Sequence, residues 1–286
     1  MPEFDDLRLT PPKRGAGLRM QVSAGVAALR DSARPDAEMV TQALHGETAT
    51  LFKEDGEFGL FQMDRDRYVG WALMDTFSAP VSEPTHKVSA LRTYAYSQPH
   101  LKSAPYGLIS MGSLLTVVDE DRGFLKTTRG GWVTSSHVVA LDIVEDDPAD
   151  VATRFLNTPY LWGGCESLGL DCTGLTRAAF SACGVRLPRD SDMQVAWCGE
   201  PVDDWNGPGT LQRNDLVFWK GHVGIMLDES TLLHSNGYHM AVAQEPLLTA
   251  IPRIAKEYGE PIGARRIDIL KERAATPEWL AAGRKP

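Results

Sequence analysis

Apolar and polar positions follow two different grammars along the chain, and the change falls near residue 145. From Met20 to about Met74 the apolar residues come in short runs broken by turn residues, as in MVTQALHGETATLFKEDGEFGLFQM and RDRYVGWALM. Asp55-Gly56 is a hairpin signal within the first of these. From Thr85 to about Leu141 the same grammar returns in RTYAYSQ, LISMGSLLTVVDE and GFLKTT, and it closes on GGWVTSSHVV. EFGLFQM…RYVGWALMDTF and GFLKTT…GGWVTSSHVV echo each other, each carrying Gly-Trp followed by an apolar residue. A repeat of roughly 60 residues made only of short strands predicts two small β-barrels, with one β-sandwich over the same span as the alternative.

Helical spacing then takes over. DDPADVATRFLNTPYLWGG opens with Asp and Pro at a helix start and spaces Val151, Phe155 and Leu156 along one face. GLDCTGLTRAAFSACGV repeats Leu175, Ala179 and Cys183 four residues apart, and Gly184 supplies the stop. PRDSDMQV predicts another helix start, and DLVFWK, HVGIML and TLLHSN an antiparallel group, with PIGARRIDIL as a last strand. TPEWLAAGRKP reads as a short helix capped by Thr276 and stopped at Gly283. Helices followed by sheet predict an α+β domain. The expected layout is a Pro-, Lys- and Arg-rich tail or strap over 1–18, barrels over 19–80 and 81–145, and the α+β domain over 146–286.

Composition narrows the function classes. Apolar residues make up 43% and charged residues 23% of the 286, an ordinary globular balance. A formal charge of −9 argues against a sequence-independent grip on nucleic acid, which needs a basic face. MPEFDDLRLTPPKRGAG has no apolar stretch of the secretory kind, and no apolar run is long enough to cross a bilayer. The expectation is a cytoplasmic protein without a membrane span. Cysteines at 165, 172, 183 and 198 form no CxxC pair, so free thiols are expected, with no metal site and no cofactor.

Cys172 is the thiol best placed for chemistry, because a glycine-containing turn there enters a helix whose unpaired N–H groups and dipole favour a thiolate. Thr173 and Gly174 are small enough for a substrate backbone to approach. The plain alternative is a buried small hydrophobe, the reading given to Cys183 on its helix's apolar face, while Cys165 and Cys198 stay unassigned. His222 opens one apolar run beside Gly221, and His234 lies on the next. Paired as a hairpin, the two runs bring the rings together, His222 as base and His234 holding its tautomer. Either alone is more often a hydrogen-bonded core histidine, and His239 in GYHM ranks below His234.

TPYLWGG, GLDCTGL, PRDSDMQ, NDLVFW, GHVGIML and LLHSN, in that order across roughly residues 146–270, resemble the NlpC/P60 family of papain-like cysteine peptidases. The resemblance implies hydrolysis of stem-peptide bonds in peptidoglycan, with Cys172 as nucleophile, His222 as base, His234 as orienting residue and Tyr160 assisting the oxyanion. The family's usual DCSGL stands here as DCTGL, which keeps a hydroxyl at 173. The β-rich half resembles bacterial SH3 domains, whose Gly-Trp-Val strand closes the barrel. Two such domains before an NlpC/P60 domain look like the γ-D-glutamyl-L-diamino acid endopeptidases. That likeness implies peptidoglycan-derived peptides with a free N-terminal L-Ala-γ-D-Glu-diamino acid as partners.

For the amine of such a peptide Asp171 is the matching acid, with Ser191 as its hydrogen-bonding partner, Trp162 as a wall, and Tyr96 reaching over from an inter-domain strand. Tyr94 serves as well as Tyr96, Asp190 is an alternative cap for the helix at Ser191, and Asp171 is an alternative favourable charge at the Cys172 helix. A wall-binding scaffold with an inactive peptidase fold, and an amidase or acyltransferase on the same scaffold, are the competing functions.

Overall fold

The computed structural model describes residues 6–11, 17–207, 209–273 and 275–281. Leu7–Val144 form one compact unit, and the described residues from Glu145 onward, with Asp6, another. Of the N-terminal tail, the described part contains a 3-10 turn at Leu7–Leu9 in which Leu9 is fully buried and its carbonyl accepts from Gln62 Nε2 at 2.7 Å. That stretch is therefore anchored on the first sheet and does not lie loose on the surface.

The β-rich unit repeats its hydrogen bonds as well as its sequence. In the first half Val22 N–H donates to Glu47 O and Gly46 N–H to Val22 O, while Ser23 and Ala24 both donate to Thr76 O. In the second half Val88 N–H donates to Ser113 O and Gly112 N–H to Val88 O, while Ser89 and Ala90 both donate to His137 O. Gly46 and Gly112 both sit at positive φ, +81° and +85°, where a side chain is strained. Each Gly-Trp run becomes strand, 3-10 turn, strand, and the last strand pairs back onto the first: Phe77 with Val22, Val138 with Val88.

Each half has its own core, one around Val22, Leu29, Phe61 and Phe77, the other around Val88, Ile109, Leu115 and Val133. They differ in continuity. The long strand Thr48–Asp55 pairs with both neighbours and holds a seven-stranded sheet together, whereas its counterpart breaks at Thr116 into Leu114–Leu115 and Val117–Asp121, splitting the second half into three- and five-stranded sheets. RTYAYSQ, expected between domains, is instead an inner strand, Arg92–Tyr96, of the five-stranded sheet.

The C-terminal unit is α+β. Helix α1 (Pro148–Thr153) starts at Asp147, whose side chain accepts from Ala149 N–H at 2.9 Å. Helix α2 spans Cys172–Ala182 with Leu175, Ala179 and Cys183 fully buried, and α3 spans Ser191–Trp197. Numbered within its six-stranded sheet, the strands are β1 (Glu200–Pro201), β2 (Leu216–Trp219), β3 (His222–Met226), β4 (Thr231–Asn236), β5 (Ala241–Pro246) and β6 (Gly263–Arg266), in the spatial order β1-β6-β2-β3-β4-β5. Strands β2 and β3 are buried along their whole length, which accounts for their unbroken apolar runs.

Helix α4 (Leu247–Tyr258), which the sequence pattern does not announce, covers one face of this sheet. Its Leu247, Ala250 and Ile254 share a core with Trp219, Met226 and Leu232. The last expected strand is confined to Gly263–Arg266, with Ile269–Arg273 helical, and a short helix at Glu278–Ala281 follows Pro277. Gly283 lies outside the described residues. No described helix is long and apolar enough to cross a membrane.

Candidate active site

Cys172 is the first residue of α2, and the turn in front of it is held by one carboxylate. Asp171 Oδ1 accepts from Gly174 N–H at 2.7 Å and from Thr173 Oγ1 at 3.0 Å, and Oδ2 accepts from Gly163 N–H at 3.0 Å. The Arg189 guanidinium closes the arrangement, donating to both Asp171 oxygens and to Thr173 Oγ1. Both side chains are buried, 2% exposed for Arg189 and 8% for Asp171. Gly174 is required by space, since a Cβ there would stand 2.1 Å from Gly164 O.

The oxygens of Asp171 and Thr173, expected to take part in substrate binding, are engaged here by the turn and by Arg189. Burial adds a second influence on the thiol, opposite to that of the helix entry. Burial pushes Cys172 up to about 12, with the Asp171 charge adding to it, while the backbone N–H groups of Val223 and Thr173 and the Arg189 charge pull the other way. Desolvation thus works against the helix terminus and raises the proton affinity of the sulfur.

The base side is built by strand register. β2 and β3 pair Trp219 with His222 across the two-residue turn Lys220-Gly221, and β3 and β4 pair Ile225 with Leu233. Continuing that register sets Gly224 opposite His234, so His222 and His234 are diagonal neighbours on one face. Nε2 of His222 lies 2.8 Å from Nδ1 of His234, with the rings at 62°. β4 and β5 pair Leu232 with Glu245 and His234 with Ala243, which makes Glu245 the next diagonal neighbour. His234 Nε2 is 2.8 Å from Glu245 Oε1, and Arg253 of α4 closes on the same oxygen.

Burial pushes His222 down to about 3, with the charges of His234 and Arg253 acting in the same sense. Burial also lowers His234, against the pull of its bond to Glu245. Glu245 is raised by burial but lowered by more through His234 and Arg253, and it stays a carboxylate.

Tyr160 lies beside this centre, its N–H bonded to Met240 O at 2.9 Å and its backbone bridged to Leu170. Burial, then the Cys172 and Asp171 charges, raises its hydroxyl far above the working range, so it remains an O–H donor. Trp162 is 57% exposed in the turn Leu161–Gly164. Ser191 is buried at the start of α3, and Asp190 occupies the cap position there without a side-chain cap bond. Tyr96 belongs to the other unit, edge-on to Phe124 at 6.0 Å.

Sequence reasoning missed Arg189, Glu245, Arg253 and Tyr258, whose ring stacks 5.9 Å from His222. His239 lies off the line, bonded to Asn236. Nitrogen and oxygen atoms of His234, His239 and Glu245 come within 4.8 Å of one another, a spacing that would also suit a cation. The Arg253 charge on Glu245 opposes that use. All four cysteines are buried, and none is joined in a disulfide.

The arrangement has counterparts among known proteins. Residues 157–252 match the NlpC/P60 family, and residues 29–75 match the bacterial dipeptidyl-peptidase Sh3 domain. The chain is 26% identical to a gamma-D-glutamyl-L-lysine dipeptidyl-peptidase of Bacillus cereus, over 80% of this chain and 75% of that one. It is 27% identical to the protein of the same name from Bacillus subtilis, over 70% and 73%. The crystal structure of an NlpC/P60 family protein from Bacillus cereus aligns with a TM-score of 0.72 at 22% identity, covering 87% of this chain and 99% of that one.

Proposed function

We propose that this chain, which joins an SH3 domain of the bacterial dipeptidyl-peptidase type to an NlpC/P60 cysteine-peptidase domain, hydrolyses the γ-D-glutamyl–diamino acid bond of peptidoglycan stem peptides. The observation that carries a thiol hydrolase is the His222–His234 hydrogen bond beside a cysteine at a helix entry. The bond cleaved is read from the relatives' names, and a dipeptidyl-peptidase must read a chain end, which favours a free N-terminal L-Ala.

On attack, the Cys172 proton passes to His222 as the sulfur–carbon bond forms at the γ-glutamyl carbonyl. Cys172 N–H and the Tyr160 hydroxyl face the oxyanion. The imidazolium then protonates the leaving amine, and water, deprotonated by His222, hydrolyses the thioester.

Mass spectrometry of products from a panel of stem peptides with free and acetylated N-termini tests the reading. Release of L-Ala-γ-D-Glu from free peptides, lost in Cys172→Ala, is expected. Digestion of intact wall with no dipeptide from L-Ala-γ-D-Glu-diamino acid would overturn it.

A further inference from the structure

Glu245 stands one strand beyond the two histidines, and its chemistry dictates where their protons sit. A carboxylate only accepts, so the hydrogen bond at 2.8 Å requires the proton on His234 Nε2. Neutral His234 then has a lone pair on Nδ1, and the 2.8 Å contact requires His222 to donate from Nε2. That leaves the His222 lone pair on Nδ1 as the proton acceptor. The order runs diagonally across β3, β4 and β5 on the face that α4 covers.

Arg253 fixes the end of the line. Its guanidinium closes on Glu245 and lies 4.2 Å over the Tyr238 ring, so the carboxylate is held from outside the sheet. Four charged or titratable groups face His234: His222 from β3, Glu245 from β5, Arg253 from α4 and His239 from the turn after β4. A cation at this cluster would need the Nε2 lone pair of His234, which is the position that the bond to Glu245 fills with a proton.

We propose that Glu245, braced by Arg253, is a positioning residue that sets both histidine tautomers, directs His222 Nδ1 at the Cys172 proton and stabilises the imidazolium formed on transfer. The inference rests on Cys172 and His222 acting as a pair. The proton moves from sulfur to His222 Nδ1, while the protons on His222 Nε2 and His234 Nε2 stay in place. The negative charge of Glu245 raises the proton affinity of the whole pair, and the positive charge of Arg253 lowers it.

The test is the pH profile of Cys172 alkylation by iodoacetamide, read by mass spectrometry of the Cys172 peptide, with kcat and KM measured on the stem peptide. Glu245→Gln keeps an acceptor but removes the charge. It is expected to shift the profile to lower pH by about half to one unit and to lower kcat about tenfold at unchanged KM. Arg253→Leu is expected to shift the profile the opposite way, a reversal that a merely structural defect would not produce. Should Glu245→Gln fold poorly, the Arg253→Leu shift alone decides. If His222→Ala displaces the profile while both charge variants superimpose on the wild type, the relay is overturned and the pair stands. If His222→Ala leaves the profile unchanged, the pair fails and the relay with it.

Discussion

The nucleophile and the base are each backed by a carboxylate held by an arginine, yet the two pairs do different work. Asp171–Arg189 is sealed from solvent and spends its bonds on backbone: three segments, around Gly163, the Cys172 helix start and Arg189, meet at one carboxylate. Glu245–Arg253 is more open, with side chains 12% and 22% exposed, and its carboxylate meets a titrating ring. The first pair fixes where the sulfur is, and its negative charge even opposes forming the thiolate. The second pair acts on proton affinity. Similar chemistry thus serves geometry on one side of the centre and charge on the other.

Breaking each arginine separates the two roles most sharply. Arg189→Met leaves Asp171 as a buried carboxylate without a counter-charge, and we expect a loss of about 3–5 kcal/mol in urea unfolding. The more exposed pair should behave otherwise, with Arg253→Leu costing about 1 kcal/mol or less in the same measurement. Equal losses would mean that both pairs are structural.

Acid titration of paired variants probes the base side, with His45 of the β-rich unit, also lowered by burial, as a background common to both. Unfolded His222 takes up its proton near pH 6.5, while the folded residue refuses it until about pH 3. Its folded pKa is depressed, so stability is full above pH 6.5 and falls as pH drops through that window, on the order of 5 kcal/mol in all. His234 is shifted in the same direction. Urea melts of His222→Gln should lose much of this dependence between pH 6.5 and 3, whereas Cys172→Ala should keep it. An unaltered acid dependence in His222→Gln would remove burial of the base as its cause.

How much of this was legible in the sequence differs between the same two sides. The nucleophile turn is local: Asp171, Cys172 and Gly174 share one motif, and helix entry follows from it. What stayed hidden there was Arg189, together with the state of the thiol, which depends on burial from distant elements. On the base side the two histidines were visible as a hairpin, but Glu245 joins them only through register, in a polar edge strand whose burial alternates weakly. Helix α4 was masked by its prolines. Pro246 precedes it and Pro252 lies inside it, each an ordinary breaker. The helix forms because Leu247, Ala250 and Ile254 bury against the sheet, and with it come Arg253 and Tyr258. Tertiary packing overrode the local signal.

The smallest expected effect comes from Gly224, which is buried within β3. Its place on β3 faces His234, and a Cβ there would meet Leu232 Cδ1 at 2.5 Å and His234 Cβ at 3.2 Å. Leu232 is fully buried and His234 is bonded at both nitrogens, so neither yields freely. Gly224→Ala should therefore push β3 and β4 apart by a few tenths of an ångström at the point where the diagonal crosses. The expected result is a fall in kcat of about three- to tenfold with KM unchanged, and a stability change of about 1 kcal/mol, because overpacking of one methyl is a modest strain. The corresponding change on the nucleophile side, Gly174→Ala, meets backbone oxygen at 2.1 Å and should cost folding itself. If Gly224→Ala instead unfolds the protein while leaving kcat of the folded fraction intact, the base side is as rigid as the nucleophile side, and the contrast between them disappears.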